Sequence, residues 1–243
     1  MFWRKNAPKS NGKLAYLLAI ETATEICSVA LGKDGQCIAL RENERGNSHA
    51  EKITAYIDQV LQQADIAIDA IDAVCISEGP GSYTGLRIGA SSAKGLCYAL
   101  NKPLIAVPTL QAMAYGARAL FPQAKQFCPM IDARRMEVYS ALYDSQLAVL
   151  DGITNLIVDE QFYADFLTRD AIVFSGNAVS KVQPVLSGNP QAVFADTKTS
   201  ARYLLELGYE KYGKNDFVDT AYFEPFYLKE FQSKKGSVKG LKS

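Results

Sequence analysis

The order of predicted elements repeats along this chain, and no other property of the sequence limits the fold as strongly. In the first half, three short apolar strands precede an amphipathic helix, a buried strand, a glycine turn and a second helix, and the second half repeats that order. Each half also ends its first strand in an acid, with Glu21 after residues 14–20 and Asp132 after residues 127–131. Such repetition predicts a duplicated α/β domain, with two sheets side by side and a cleft between them.

Local patterns support each element. Apolar and alternating runs at 14–20, 26–31 and 36–43 predict a three-strand antiparallel meander. Residues 53–64 carry apolar side chains at helical spacing, which predicts an amphipathic helix capped by Asn47 or Ser48. The later elements are predicted as strands at 73–76, 104–107, 127–131, 136–143, 147–150 and 171–174, and as helices at 84–100, 109–120, 159–168, 178–186 and 200–212.

These elements divide the chain into four regions. Residues 14–103 are expected to form the N-terminal half and residues 104–230 the C-terminal half, with the last helix free to dock on either. Residues 1–13 mix Pro, Gly, Asn and Ser and are expected to form a loose leader outside the fold. Residues 231–243 are expected to form a basic, solvated tail.

The glycine turn of the first half, residues 78–89, joins a buried strand to a helix that Ser82 or Thr84 can cap. Such a turn presents free backbone N–H groups at a helix N-terminus and is an anion site in principle. The Lys and Ser/Thr ending of a phosphate-binding loop is absent, so the favoured interpretation is structural. A tight turn needs glycine, and close packing of another element on the helix needs the small residues spaced four apart, Gly85, Gly89 and Ala93.

Composition excludes several classes of protein. The 26 basic and 26 acidic side chains balance, which argues against a chain-wide attraction to nucleic acid or acidic membrane. Five cysteines without a C-x-x-C pair predict small buried side chains in a reducing compartment rather than a disulfide framework. The apolar runs are too short to span a membrane, and residues 1–13 lack the apolar core of a secretion signal. We therefore expect a soluble cytoplasmic protein.

Four segments, in order over residues 14–228, carry a resemblance to a known family. They are Leu-Ala-Ile-Glu-Thr at 18–22, Ser-His-Ala-Glu-Lys at 48–52, Gly-Pro-Gly-Ser-Tyr-Thr-Gly-Leu-Arg-Ile-Gly at 79–89 and Ile-Asp-Ala-Arg-Arg-Met-Glu-Val-Tyr at 131–139. Together they resemble the TsaB family, also called YeaZ. The resemblance implies a duplicated actin-like ATPase (ASKHA, RNase H-like) fold, with two mixed sheets, helices and a degenerate cleft between the halves.

The resemblance also implies a function. Its members are non-catalytic subunits required to form threonylcarbamoyladenosine at the adenosine beside the anticodon of tRNA, and they activate the catalytic paralogue TsaD by forming a heterodimer with it. The implied partners are TsaD and TsaE, with a homodimer when the chain is alone, tRNA contacted only within the complex, and no membrane. No cofactor is expected on the isolated chain, although the complex uses ATP, magnesium and a metal held in TsaD.

The predicted partner surface lies on the two helices of the first half, after Ser48 and after the glycine turn. Small residues there permit another helix to approach closely, and larger neighbours supply anchors. An alternative stays open, because helices in α/β layers also need small residues to pack on their own sheet. The residues predicted for this surface are His49, Ile53, Tyr83, Leu86, Arg87, Gly89, Ala90 and Ala93.

Catalysis by this chain is not expected. Its single histidine, His49, cannot form the i, i+4 histidine pair that holds a metal in the catalytic paralogue. Glu21 and Asp132 could face each other across the cleft and position magnesium, or each could accept hydrogen bonds from turn N–H groups. We favour the second interpretation and a degenerate cleft with weak or absent ATP binding.

Two other functions stay open at this point. The chain could be a peptidase or nucleotide hydrolase of the wider glycoprotease-like group, with Ser82, Thr84 or Cys75 as nucleophile and His49 as the available histidine base. It could also be a purely structural homodimer. A pull-down with TsaD distinguishes the structural homodimer from the partner subunit.

Overall fold

The structure is a computed structural model that describes residues 14–43 and 49–229. Within them the chain forms ten strands and six α-helices. In chain order these are β1 (Tyr16–Glu21), β2 (Ser28–Lys33), β3 (Gln36–Glu42), α1 (His49–Ala64), β4 (Ala73–Ser77), α2 (Tyr83–Leu100), β5 (Leu104–Val107), α3 (Thr109–Leu120), β6 (Gln126–Asp132), β7 (Glu137–Asp144), β8 (Val149–Ile157), α4 (Ala164–Leu167), β9 (Ile172–Ser175), α5 (Val179–Leu186), β10 (Ala192–Ala195) and α6 (Arg202–Gly213).

The strands form two five-stranded sheets of the same topology. The first has the order β3-β2-β1-β4-β5, and the second has the corresponding order β8-β7-β6-β9-β10. In each sheet the first three strands along the chain pair antiparallel, and the later two pair parallel. Leu18 of β1, for example, lies opposite Leu31 of antiparallel β2 and Val74 of parallel β4. The predicted duplication is therefore confirmed.

The first sheet continues past residue 103, where the sequence places the division between the halves. β5 pairs in parallel with β4, Ile105 lying opposite Cys75, so the first sheet extends beyond the predicted boundary. Helix α6 packs against the first sheet, which settles where the last helix docks. The sequence reading also missed β10, predicted only the beginning of β8, and assigned ten residues to a helix that spans four, Ala164–Leu167.

The first sheet is covered on both faces. Helices α1 and α2 pack on one face and α6 on the other. Neighbouring residues of β1 therefore enter different cores, because successive side chains of a strand point to opposite faces. Leu18 belongs to the core beneath α1 and α2, whereas Leu17 belongs to the core that contains Leu204 and Leu205 of α6.

After α6 the chain returns to the first sheet as an irregular segment that includes a turn at 220–222; this segment, residues 217–229, is here called the C-terminal strap. Val218 forms an antiparallel bridge with Leu104 at the outer edge of β5, and its N–H donates to the Leu104 carbonyl at 3.0 Å. Val218 and Phe223 pack against the core beneath α1 and α2. The strap thus lies beside α2 in the same layer, a position that no local pattern indicated.

Some sequence predictions concern residues beyond the described ranges. The leader at 1–13, the tail at 231–243 and the cap at Asn47 or Ser48 are among them. The five cysteines are described; all are free, and four are buried as predicted, whereas Cys37 is exposed. No helix in residues 14–43 or 49–229 is long and apolar enough to cross a membrane.

Candidate functional site

The glycine turn brings α2 against the end of β1. Ser82 caps the helix, its Oγ accepting a hydrogen bond from the N–H of Gly85 at 3.3 Å. A Cβ placed on Gly85 would lie 2.1 Å from the carbonyl oxygen of Thr22, and one on Gly89 would lie 2.3 Å from Thr22 Oγ1. Real Cβ atoms do not approach other atoms so closely, so the two glycines allow this contact. The favoured packing interpretation is confirmed.

Glu21 ends β1 and is buried, with 1% of its surface exposed. Its Oε1 accepts hydrogen bonds from the N–H of Ala23 at 2.6 Å and from Ser77 Oγ at 2.9 Å. Burial raises the pKa of this carboxyl from 4.5 to about 7, although the hydrogen bonds from Ala23, Ser77 and Thr22 partly oppose the shift. The carboxyl is thus held by the chain itself, as the favoured interpretation predicted.

Asp132 ends β6, the strand that corresponds to β1. Its Oδ1 accepts a hydrogen bond from the N–H of Arg134 at 2.6 Å, which is the same two-residue turn contact that Glu21 makes with Ala23. The ammonium group of Lys181 lies 2.7 Å from the same oxygen and also donates to the Glu137 carbonyl at 3.0 Å. A cation of the chain's own therefore neutralises the second acid of the cleft.

Two hydrogen bonds join the loops of the two halves. Thr24 Oγ1 and Thr199 Oγ1 lie 2.6 Å apart and share a hydrogen bond. Asn177 Nδ2 donates to Glu25 Oε2 at 3.0 Å, and Asn177 Oδ1 accepts from the N–H of Asp132 at 2.9 Å. Asn177 thus connects the second acid to the loop that follows the first. Sequence reasoning missed this residue, which lies in the glycine turn of the second half, Ser175-Gly176-Asn177.

His49 begins α1 and is buried, with 8% of its surface exposed. Its Nε2 lies 2.9 Å from the Thr24 carbonyl oxygen, which can only accept, so Nε2 carries the proton and donates. Its Nδ1 is buried and has no hydrogen-bond partner among the described residues. No hydroxyl or thiol of the described residues bonds to this ring, so the geometry does not support His49 as the base of a peptidase.

Most of the predicted partner-surface residues face inward. Ile53, Leu86, Gly89, Ala90 and Ala93 are all buried by the protein itself. The selection of these residues is therefore corrected: their helical spacing marks the faces of α1 and α2 that pack on the first sheet. Of the predicted set, Arg87 is exposed and Tyr83 is half-buried, and the Arg87 guanidinium donates to the Tyr83 hydroxyl at 2.9 Å.

The outward faces of α1 and α2 carry other residues. Most of the exposed side chains there are small or polar, and a Cβ added to Gly95 would meet no atom within 4 Å. The exception is Tyr98, a large aromatic side chain that is 89% exposed. The exposed residues of these outward faces include Thr54, Asp58, Thr84, Ser91, Gly95 and Tyr98.

No group of three or more His, Cys, Asp or Glu side chains within the described ranges is arranged to hold a metal ion. Glu21 and Asp132 are each engaged by other groups of the chain, and His49 is engaged by Thr24. Within the described ranges these side chains bond to other groups of the chain rather than forming a cluster of metal ligands.

Comparison with known proteins identifies relatives over most of the chain. The family described as "TsaD: tRNA N6-adenosine threonylcarbamoyltransferase" matches residues 43–211. The tRNA threonylcarbamoyladenosine biosynthesis protein TsaB of Haemophilus influenzae is 28% identical over 235 residues, which cover 88% of this chain and 93% of that protein.

Solved structures agree with this relationship. YeaZ from Pseudomonas aeruginosa has a TM-score of 0.78 at 28% identity, covering 88% of this chain and 100% of that one. The activator of 2-hydroxyisocaproyl-CoA dehydratase from Clostridium difficile, with a TM-score of 0.52 and 8% identity over 83% of this chain and 96% of that one, shares the fold alone. The fold is thus the duplicated actin-like ATPase (ASKHA, RNase H-like) fold. The chain belongs to the TsaB (YeaZ) family, within the wider family of tRNA N6-adenosine threonylcarbamoyltransferase.

Proposed function

We propose that this chain is a non-catalytic subunit in tRNA threonylcarbamoyladenosine biosynthesis. It acts in the cytoplasm by forming a heterodimer with the catalytic paralogue TsaD and by working with TsaE. It contacts tRNA only within that complex, forms a homodimer when alone, and binds no cofactor by itself. The ATP, magnesium and metal of the reaction belong to the other subunits.

The observation that carries this proposal is the internal engagement of both cleft acids. A carboxylate that positions magnesium must be accessible to the ion. Here Glu21 is buried against Ala23 and Ser77, and Asp132 is paired with Lys181. The chain retains the fold of its catalytic relatives, but each cleft acid is engaged by neighbouring groups of the chain. This is expected of a subunit that acts by contact with a partner.

The outward faces of α1 and α2 support the second part of the proposal. Ser91 and Gly95 lie one turn apart on α2 and leave room for another helix to approach closely. Thr54 and Asp58 are exposed at the same spacing on α1. A partner that contains the same pair of helices can pack against this layer in a pseudo-twofold arrangement.

The test is reconstituted threonylcarbamoylation of tRNA with this chain, TsaD, TsaE and the supplier of the carbamoyl adenylate, omitting each protein in turn. We expect the modified nucleoside to disappear when this chain is left out, and the chain alone to make none. Undiminished product without this chain would overturn the proposal.

The surface is tested by replacing Ser91 with Arg. Ser91→Arg places a long charged side chain in the middle of the outward face of α2 and is expected to abolish binding to TsaD and the modification together. Ser180→Arg, at an exposed position of α5 in the other half, is the matched control and should preserve both. Normal binding by Ser91→Arg would show that the surface lies elsewhere.

A further inference from the structure

Three elements lie side by side on the outer face of the first sheet. Helix α1 packs over β2 and β3, α2 packs over β4, and the C-terminal strap closes the edge at β5. Phe223 of the strap enters the same core as the inward residues of α1 and α2. The strap therefore lies in the same layer as the two helices, next to α2.

Lys94 of α2 holds the strap in place. Its ammonium group donates to the carbonyl oxygens of Ala221 at 3.0 Å and Phe223 at 3.1 Å, the two residues on either side of Tyr222. Tyr98 lies four residues after Lys94, and side chains at this spacing are neighbours on a helix, with Cβ atoms about 5 to 6 Å apart. Lys94 is therefore one helical turn from Tyr98 and hydrogen-bonded to both chain neighbours of Tyr222.

These two tyrosines are the most exposed large hydrophobic side chains in residues 14–43 and 49–229. Tyr98 is 89% exposed and Tyr222 is 85% exposed. Tyrosine buries a large area with few rotatable bonds and is enriched among the side chains that contribute most to binding at protein interfaces. Three residues before Tyr98, Gly95 carries no side chain and its Cβ position is open, so a partner's side chain can approach the helix backbone there.

The strap is fastened along its whole length. The Phe226 N–H donates to the Glu78 carbonyl at 2.7 Å, the rings of Tyr227 and Tyr83 are 4.9 Å apart, and the Lys229 ammonium pairs with Glu137 of the second sheet. A segment that is already ordered loses little conformational freedom when a partner covers it. The strap can therefore present Tyr222 at a fixed position.

We propose that the strap is part of the partner surface, with Tyr98 and Tyr222 as its anchors and Lys94 as the residue that positions Tyr222. This inference rests on the proposed function and names TsaD as the occupant. The transferase family matches residues 43–211, which include α1 and α2 but end before the strap. A partner of that family therefore brings the same pair of helices, and the strap widens the interface on the side of this chain.

The test measures the affinity of purified variants for TsaD by calorimetry. Tyr98→Ala and Tyr222→Ala are each expected to weaken binding about tenfold or more, as loss of an interface anchor does. Leu120→Ala, at a 61% exposed position at the end of α3, is the control for removing an exposed apolar side chain and should bind like the wild type.

The role of Lys94 requires a double-mutant cycle. Lys94→Met should weaken binding in the wild-type background but add little in the Tyr222→Ala background, because the lysine acts through that ring. It should also speed hydrogen exchange of the Val218 and Phe226 amides. Additive losses in the cycle would contradict a positioning role.

The outcomes separate the two proposals. If the wild type binds TsaD and both tyrosine variants bind equally well, the strap inference fails and the proposed function stands. If the wild type does not bind TsaD, the proposed function fails as well. If the tyrosine variants lose only self-association in analytical ultracentrifugation, the occupant is a second copy of the chain and the assignment to TsaD is overturned.

Discussion

The ammonium group of Lys181 lies 2.7 Å from Oδ1 of Asp132, so an internal cation sits beside the acid that ends the first strand of the second sheet. The lysine side chain is only 13% exposed, although the carboxylate is 42% exposed. In the first sheet no basic side chain of residues 14–43 or 49–229 pairs with the corresponding acid, Glu21, which is instead buried and accepts hydrogen bonds from Ala23 and Ser77. The duplicated halves therefore stabilise equivalent acids by different means.

Replacing Lys181 by Met should lower the free energy of unfolding by about 1 kcal/mol, since the ion pair and the bond to the Glu137 carbonyl are lost but Asp132 remains partly solvated. The measurement is chemical denaturation of the wild type and variant. Lys125→Met is the control, because the side chain of Lys125, paired with Asp170, is 73% exposed and should contribute less than about 0.5 kcal/mol. Equal losses in the two variants would show that the Lys181–Asp132 pair contributes no more to stability than the exposed Lys125–Asp170 pair.

Glu21 should make stability depend on pH. Its pKa is about 7 in the folded chain and near the ordinary 4.5 when unfolded, so between these values the folded state binds a proton that the unfolded state has lost. The contribution of Glu21 is present below pH 4.5 and is lost as the pH rises towards 7. Over that window the wild type should lose roughly 3 kcal/mol relative to Glu21→Gln. Parallel pH profiles of the two proteins would disprove the shift.

Two glycines of α2 should respond in opposite directions to the same change. Gly85→Ala forces a Cβ against the Thr22 carbonyl oxygen and should cost about 2 to 3 kcal/mol of folding free energy. Gly95→Ala meets open space within a helix and should stabilise the chain by about 0.5 to 1 kcal/mol. Thermal unfolding of both variants checks this. A stabilising Gly85→Ala would mean that α2 does not approach β1 as described.

The isolated chain should not bind magnesium ATP with appreciable affinity. Its cleft offers a buried carboxyl at Glu21 and a carboxylate at Asp132 that is already paired with Lys181, and neither is free for the metal. Calorimetric titration with magnesium ATP should give no binding isotherm. A micromolar dissociation constant would require the cleft groups to rearrange and would contradict a degenerate cleft.

The sequence alone determined most of the secondary structure and the duplication of the fold. Alternation and helical spacing are local properties, and they located most strands, the helices α1 and α2, and the duplication that predicts two similar sheets. The segments at 18–22 and 79–89 also carried the family resemblance, and the spacing of Gly85 and Gly89 predicted close packing on α2.

Only the tertiary structure decided which surfaces are free. Helical spacing placed Ile53, Leu86 and Ala93 on the apolar faces of α1 and α2, but an apolar face fits the chain's own sheet as well as a partner, and here the sheet covers it. The bond from Asn177 to Glu25 spans 152 residues. The hydrogen bond from Lys94 to the Ala221 carbonyl of the strap spans 127 residues. Such contacts depend on where distant segments meet, and no local periodicity records that.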